Sequence, residues 1–219
     1  MRLFLASSDL GDYKDVFVDL VGDNKKVLII PNARDHYPEE VKKVIVNEDL
    51  GIISDCGLLP EVLDLRPYFG KGDKLREFID EFKPGCVFSI GGNVYSLATA
   101  LHLSGMDEIL RRDLGEDKYV YAGYSAGAMN ASKDLMNYHS SFGKRSGDRL
   151  EEAKLIYGEV YTKGLGLIDE YVCPHADTEK YREICKKAEA ELRKKGLEPI
   201  VLNDADVMVV DGEKRLYKH

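Results

Sequence analysis

The sequence lacks the marks of several protein classes, namely a long apolar run, paired cysteines and a block of basic residues. None of the four cysteines forms a CxxC pair, which argues against a zinc ribbon or a dithiol redox motif and favours a reducing, cytoplasmic setting. The apolar run over residues 3–6 is short and an acid soon follows it, so we expect neither a signal peptide nor a membrane span.

Acidic residues outnumber basic ones, with 39 Asp and Glu against 31 Lys and Arg, for a net charge of -8. This balance argues against nucleic acid as a partner. The 44% hydrophobic and 32% charged residues are typical of a globular protein, and 219 residues suit one α/β domain or two small ones. We predict a single domain over residues 1–219.

Short apolar runs alternate with amphipathic stretches along the chain. The pattern predicts strands over 3–6, 26–31, 61–65, 85–90, 119–124 and 199–202, and another that ends at residue 173. It predicts helices over 9–21, 38–53, 72–82, 94–103, 126–136 and 178–195, and a terminal hairpin of 207–210 with 215–217. Residues 137–158 are polar without a clear period, which predicts a long irregular loop. The alternation favours an α/β fold, with a mostly parallel sheet and helices on both faces.

The motif Gly123-x-Ser125-x-Gly127 follows an apolar run directly and precedes small, helix-favouring residues. This is the order of a strand–turn–helix nucleophile elbow, with Ser125 at its tip. The simpler interpretation is a glycine-rich turn whose serine caps a helix. In the elbow, the free N–H groups of the new helix, beginning at Ala126, would face an oxyanion.

A second pair of glycines ends an earlier strand, in the segment Ile90-Gly91-Gly92-Asn93. Ligands bind at the carboxyl edge of parallel α/β sheets, so the N–H of Gly92 is a candidate second oxyanion donor. A tight turn with Asn93 as helix N-cap explains the tetrapeptide equally well.

A serine nucleophile needs a base, and His175 is the histidine that directly follows an apolar strand. It should therefore lie at the same sheet edge as Ser125. The acid that orients it should lie there too, and Asp204, after the next strand, is our choice. Asp177 and Asp134 are the alternatives.

Taken together, these motifs resemble the peptidase E (peptidase S51) family. The matching segments are Ile30-Pro31-Asn32-Ala33, Ile90-Gly91-Gly92-Asn93, Gly123-Tyr124-Ser125-Ala126-Gly127-Ala128, Pro174-His175, and Asp204-x-x-Val207 leading to Asp211-Gly212. The resemblance implies a flavodoxin-like sheet related to class I glutamine amidotransferases, and a serine exopeptidase acting on dipeptides with an N-terminal aspartate. It implies Ser125 as nucleophile, His175 as base and the N–H groups of Gly92 and Ala126 as oxyanion hole, with no metal or cofactor.

An N-terminal aspartate in the substrate would need a cation, and the arginines Arg145, Arg149 and Arg182 are the candidates. We expect the stretch of residues 137–158 to cover the pocket. The expected partner is a small peptide, without nucleic acid or membrane, and the chain is expected to be a monomer or homodimer. A non-catalytic protein that binds small molecules or peptides and a cyanophycinase-like hydrolase are the alternative functions.

Overall fold

The structure is a computed structural model, and it describes residues 1–142 and 144–218, without the side chains of residues 140–146. The strands are β1 (Arg2–Ala6), β2 (Lys26–Ile30), β3 (Leu59–Val62), β4 (Cys86–Ser89), β5 (Val120–Tyr124), β6 (Tyr171–Cys173), β7 (Pro199–Val201), β8 (Val207–Asp211) and β9 (Glu213–Tyr217). The helices are α1 (Lys14–Val21), α2 (Glu39–Asp55), α3 (Gly72–Phe82), α4 (Val94–Ser104), α5 (Met106–Gly115), α6 (Ala126–Met129), α7 (Met136–Phe142), α8 (Lys144–Tyr157) and α9 (Arg182–Lys194). Short 3₁₀ turns lie at Gly11–Tyr13, Asn32–Arg34 and Arg66–Tyr68.

The main sheet has seven strands in the order β3-β2-β4-β5-β1-β8-β9. The first five are parallel to one another, while β8 runs antiparallel to β1 and β9 antiparallel to β8. Strands β6 and β7 form a separate two-stranded parallel sheet. The predicted mostly parallel, flavodoxin-like sheet with a C-terminal hairpin is therefore confirmed.

Both faces of the main sheet are buried beneath helices. Along β1, Leu3 and Leu5 belong to the core on one face, and Phe4 and Ala6 to the core on the other. Burial on both faces explains why these strands read as continuous apolar runs rather than as alternating patterns. No helix in the described part of the chain is both long and apolar enough to cross a membrane.

The prediction of a long irregular loop over residues 137–158 is wrong, because α7 and α8 occupy most of this stretch. Tyr138 and Ala153 are almost fully buried and join a third apolar cluster with residues of α9 and β6. The Tyr138 hydroxyl also lies 3.1 Å from that of Ser132. Few of the described side chains of these helices are both apolar and buried, so their period is hard to read from the sequence.

The helix after the elbow is also shorter than predicted, since α6 ends at Met129 rather than near residue 136. The backbone carbonyls of the next three residues accept N–H groups from residues 165–168 instead of from a continuing helix. Smaller differences occur elsewhere: β3 covers residues 59–62 rather than 61–65, α9 begins at residue 182 rather than 178, and α5 was not predicted.

Candidate active site

Ser125 stands between β5 and α6 with backbone angles φ 50° and ψ -110°. A non-glycine residue seldom adopts a positive φ, and such strain persists only where the surroundings enforce it. The enforcing contacts come from the last residue of β1 and the residue after it, because the Ser125 N–H donates to the carbonyls of Ala6 and Ser7 at 3.1 and 3.0 Å. Ser125 makes no helix-capping hydrogen bond through its side chain within the described residues, so the elbow is the better description.

The motif's glycines permit close packing at the elbow. A Cβ on Gly127 would lie 2.1 Å from the carbonyl oxygen of Ser89, at the end of β4. Because real Cβ atoms do not approach backbone oxygens so closely, a side chain here would push α6 away from the sheet.

His175 follows β6 and reaches Ser125 across the carboxyl edge of the main sheet. Its Nε2 lies 3.0 Å from the Ser125 Oγ, and its ring stacks on Tyr181 with 5.1 Å between centroids. The backbone of His175 also has a positive φ of 64°, and its N–H donates to the buried Ser7 Oγ at 2.7 Å. The imidazole is therefore held from its backbone and from its ring face.

Asp204 lies on the other side of the imidazole, with its Oδ1 2.5 Å from His175 Nδ1. The alternative acids have other contacts. Asp177 accepts the backbone N–H of Asp204 at 2.9 Å, and Asp134 accepts Lys163 Nζ at 2.6 Å. Of the three carboxylates proposed from the sequence, Asp204 is the one hydrogen-bonded to the histidine, while Asp177 orders the loop that carries it.

Gly92 and Ala126 face the same cavity as Ser125, and neither N–H has a hydrogen-bond acceptor among the described residues. Gly92 has φ 150°, and a Cβ there would lie 2.3 Å from the carbonyl oxygen of Ala33. Asn93 does cap α4, because its Oδ1 accepts the N–H groups of Tyr95 and Ser96 at 3.0 and 3.2 Å. The capping and oxyanion interpretations of this segment are thus compatible.

A cavity of about 330 Å³ opens over Ser125. Its lining residues are Ser8, Arg34, Tyr37, Gly92, Val94, Tyr95, Tyr124, Ser125, Ala126, Met129, Tyr138, Arg149, Pro174, His175, Lys180 and Tyr181. Among the described side chains, those of Arg34, Arg149 and Lys180 give this lining positive charge, and no Asp or Glu contributes to it. The cavity therefore suits an anionic ligand.

The three arginines proposed from the sequence differ in position. Arg149 lines the cavity, but its Nη1 already donates to Glu152 Oε2 at 2.9 Å and lies 3.2 Å from His36 Nε2. Arg182 is not part of the lining, and it donates to the backbone carbonyl of Asp177 at 2.8 Å. The side chain of Arg145 lies outside the described residues.

Sequence reasoning missed the cavity wall that follows β2. Arg34 and Tyr37 come from that segment, and Tyr124 is the residue before the elbow serine. The Tyr124 hydroxyl donates to Asp49, 3.1 Å from each carboxylate oxygen. Burial raises the pKa of Asp49 to about 6, although the hydrogen bond from Tyr124 opposes this shift. The available sequence signal was the position of these residues directly after β2, because ligands bind at the carboxyl edge of a parallel sheet.

The fold and this site define an α/β protein with a serine at a strand–helix elbow. The chain belongs to peptidase family S51, whose family model matches residues 3–216. It is therefore a member of a peptidase family, as the sequence motifs predicted.

Solved structures share the fold. A candidate peptidase E from Listeria monocytogenes EGD-e is similar to this chain with a TM-score of 0.75 and 22% identity, over 100% of this chain and 98% of that one. A peptidase from an acI-B1 Actinobacterium is similar with a TM-score of 0.69 and 19% identity, over 100% of this chain and 87% of the other. No curated protein is significantly similar in sequence.

Proposed function

We propose that this protein is a serine-type exopeptidase that hydrolyses dipeptides or short peptides through an acyl-enzyme. The observation that carries the proposal is the continuous chain from Ser125 Oγ to His175 to Asp204, with distances of 3.0 and 2.5 Å, at a strained elbow. A nucleophile, a base and an orienting acid in this order are the parts that acyl transfer requires.

In this mechanism, Ser125 Oγ attacks the peptide carbonyl carbon while its proton passes to Nε2 of His175. The N–H groups of Gly92 and Ala126 donate to the oxyanion that forms, and Asp204 stabilises the imidazolium. Collapse of this intermediate breaks the C–N bond, and His175 gives its proton to the leaving amine. Water then attacks the acyl group, with His175 again as base, and Ser125 recovers its proton.

The size of the cavity supports a short substrate, since about 330 Å³ is at the lower end of the range for small-molecule sites. Tyr138 of α7 and Arg149 of α8 contribute to its wall, so this helical segment limits the space above Ser125. The positive lining favours peptides that carry carboxylates close to the scissile bond, an N-terminal aspartate among them.

A dipeptide library tests the proposal directly. Wild-type protein should release the N-terminal amino acid from at least one class of dipeptide, and folded Ser125→Ala should lose about 10⁴-fold or more in kcat. Hydrolysis that survives in Ser125→Ala would refute the serine mechanism. A wild-type protein that binds dipeptides without cleaving them would instead be the non-catalytic binding protein, and release from β-linked aspartyl peptides alone would favour the cyanophycinase-like alternative.

A further inference from the structure

Arg34 carries a cavity-facing positive charge that no ion pair neutralises. It ends the 3₁₀ turn Asn32–Arg34 and lines the cavity that contains Ser125. Its Nε is buried without a hydrogen-bond partner, and in the described residues no carboxylate oxygen lies within 4.0 Å of its guanidinium. Its guanidinium carbon lies 5.9 Å from the Tyr37 ring centroid. A buried donor without an acceptor is costly, which points to an acceptor supplied by a ligand.

Of the other cations in the cavity lining, Arg149 is already paired, while Lys180 lies on the His175 side, with its Nζ 5.4 Å from the ring centroid of Tyr181. Lys42 binds Asp35 at 2.5 Å, and Arg149 binds Glu152 at 2.9 Å. Arg34 and Asp49 attract each other through space but form no ion pair, and the Asp49 carboxylate accepts the Tyr124 hydroxyl. Arg34 is therefore the better cation for an incoming carboxylate than Arg149, which would first have to release Glu152.

The backbone beneath Arg34 is fixed before any ligand arrives. The Asn32 side chain donates to Asp35 at 2.9 Å and to Asp64 at 3.0 Å, and its Oδ1 accepts the N–H of Leu65 at 3.1 Å. Tyr157 of α8 also donates to Asp35, at 2.5 Å. A turn held by so many contacts loses little conformational freedom on binding, which favours affinity.

The order of the strands determines on which side of Ser125 Arg34 lies. In the series β2-β4-β5-β1, the segments that carry Arg34 and Gly92 lie on one side of Ser125, and the Ser7 segment that holds His175 lies on the other. The two segments on the first side touch, since the Ala33 carbonyl accepts the N–H of Asn93 at 2.8 Å. His175 must reach the leaving amine, so the leaving group lies on the His175 side of Ser125. The acyl residue of the substrate then extends to the other side, towards Arg34.

We propose that Arg34 is a specificity-determining residue, which binds the side-chain carboxylate of an acidic N-terminal residue in the substrate. This inference rests on the proposed exopeptidase function and deepens it. The planar guanidinium can offer two parallel N–H groups to a carboxylate, and the half-buried setting strengthens the pair relative to a surface ion pair. The preference for aspartate or glutamate then follows from this residue rather than from Arg145, Arg149 or Arg182.

The test compares Asp-Leu with Asn-Leu, which differ in charge but hardly in shape. Arg34→Gln should lower kcat/KM for Asp-Leu roughly 30- to 100-fold, the scale of a lost charged hydrogen bond, and change that for Asn-Leu less than about threefold. Arg34→Lys should recover part of the loss, because lysine restores the charge but not the two parallel N–H groups of the guanidinium. Arg215→Gln, a matched charge removal on β9, should leave both values unchanged. Equal losses for the two substrates, or no loss for Asp-Leu, would overturn the proposal.

Binding separates this inference from the proposed function. Calorimetry on Ser125→Ala measures the affinity for Asp-Leu and Asn-Leu without turnover. The inference predicts tighter binding of Asp-Leu, and loss of that preference in Ser125→Ala/Arg34→Gln, even if the wild-type protein hydrolyses neither peptide and the exopeptidase proposal fails. Equal affinities in Ser125→Ala would overturn the role of Arg34 while leaving the serine mechanism intact. Thermal unfolding of each variant confirms that it is folded.

Discussion

Replacing Asp204 by asparagine tests the acid of the proposed triad with little change in the shape of the side chain. The substitution keeps the size of the side chain and removes the charge that lies 2.5 Å from His175 Nδ1. Asparagine can also donate to that nitrogen through its amide, which would hold the imidazole in the wrong tautomer. The backbone N–H of residue 204 can still donate to Asp177, so the loop should keep its conformation.

The size of the effect follows from the exposure of the carboxylate. Two unit charges about 4 Å apart attract by about 4 kcal/mol at an effective dielectric of about 20 and by about 1 kcal/mol in water. The Asp204 side chain is 40% exposed, so we take an intermediate value of about 2 to 3 kcal/mol, or roughly 30- to 150-fold in rate. The wrong tautomer adds to this loss. We therefore expect kcat to fall roughly 10²- to 10³-fold, less than the ~10⁴-fold known for a buried triad aspartate.

The assay is steady-state hydrolysis of the best dipeptide from the library screen, with circular dichroism to verify folding. Asp177→Asn is the matched control, because it retains an oxygen that can accept the N–H of Asp204 and should cost less than about fivefold. Asp134→Asn, in a residue paired with Lys163, should also have little effect. The assignment is refuted if Asp204→Asn keeps its activity while Asp177→Asn loses it, as an amidotransferase-like histidine and acid pair would require.

Three further substitutions probe the surroundings of the site. Gly92→Ala should lower both stability and kcat, the latter at least tenfold, because its Cβ would lie 2.3 Å from the carbonyl oxygen of Ala33. Ser7→Ala removes the acceptor of the His175 N–H and should cost about 1 to 3 kcal/mol of unfolding free energy, with a smaller fall in kcat. Asp49→Asn should raise the free energy of unfolding, relative to the wild-type protein, more at pH 8 than at pH 4. Burial raises the pKa of Asp49 to about 6, so the wild-type protein loses stability as this carboxyl ionises between about pH 4 and 6.

Urea unfolding measures the three changes in stability, and steady-state hydrolysis measures the changes in kcat. For Asp49→Asn, the gain at pH 8 should be on the order of 1 to 3 kcal/mol, the scale expected when burial raises the pKa of a carboxyl to about 6. An Asp49→Asn protein that loses stability more at pH 8 than at pH 4 would mean that the charged carboxylate is favourable in the fold. Normal turnover in Gly92→Ala would argue against an oxyanion donor at that position.

The elements that the sequence predicted well are those with a strong local signal. The buried strands read as apolar runs because helices cover both of their faces, and the residues that end them fall at one edge by topology alone. Ser125 and Gly92 follow β5 and β4 of the main sheet, so the shared edge predicts their proximity. His175 follows β6, which pairs with β7 in the separate sheet, so the prediction that it shares a sheet edge with Ser125 is wrong, although the two side chains do meet. The distance from Asp204 to His175 depends on how β6 and β7 pair with each other beside the main sheet, which no local pattern encodes.

The misses have physical reasons. Among the described side chains of α7 and α8, few are both apolar and buried, Tyr138 and Ala153 being two of them, so the helical period is hard to read from the sequence. Strand β3 lies at an edge of the sheet, and Leu59 at its start is 65% exposed, which weakens the strand signal there. Arg34 lies about ninety residues before Ser125 in the chain, and the pairing of β2 in the sheet, which no local pattern encodes, brings it to the cavity.

The central claim is that Ser125 forms a covalent bond with the acyl part of the substrate. The most direct test mixes the protein with the p-nitrophenyl esters of aspartate and of alanine, quenches in acid during turnover, and maps any adduct by mass spectrometry. These activated esters make the second step slow relative to the first, so the acyl-enzyme should accumulate. The account predicts an aminoacyl adduct on the peptide that contains Ser125, absent from Ser125→Ala and strongly reduced in His175→Ala. Ester hydrolysis at an unchanged rate in Ser125→Ala, or an adduct on another residue, would contradict it.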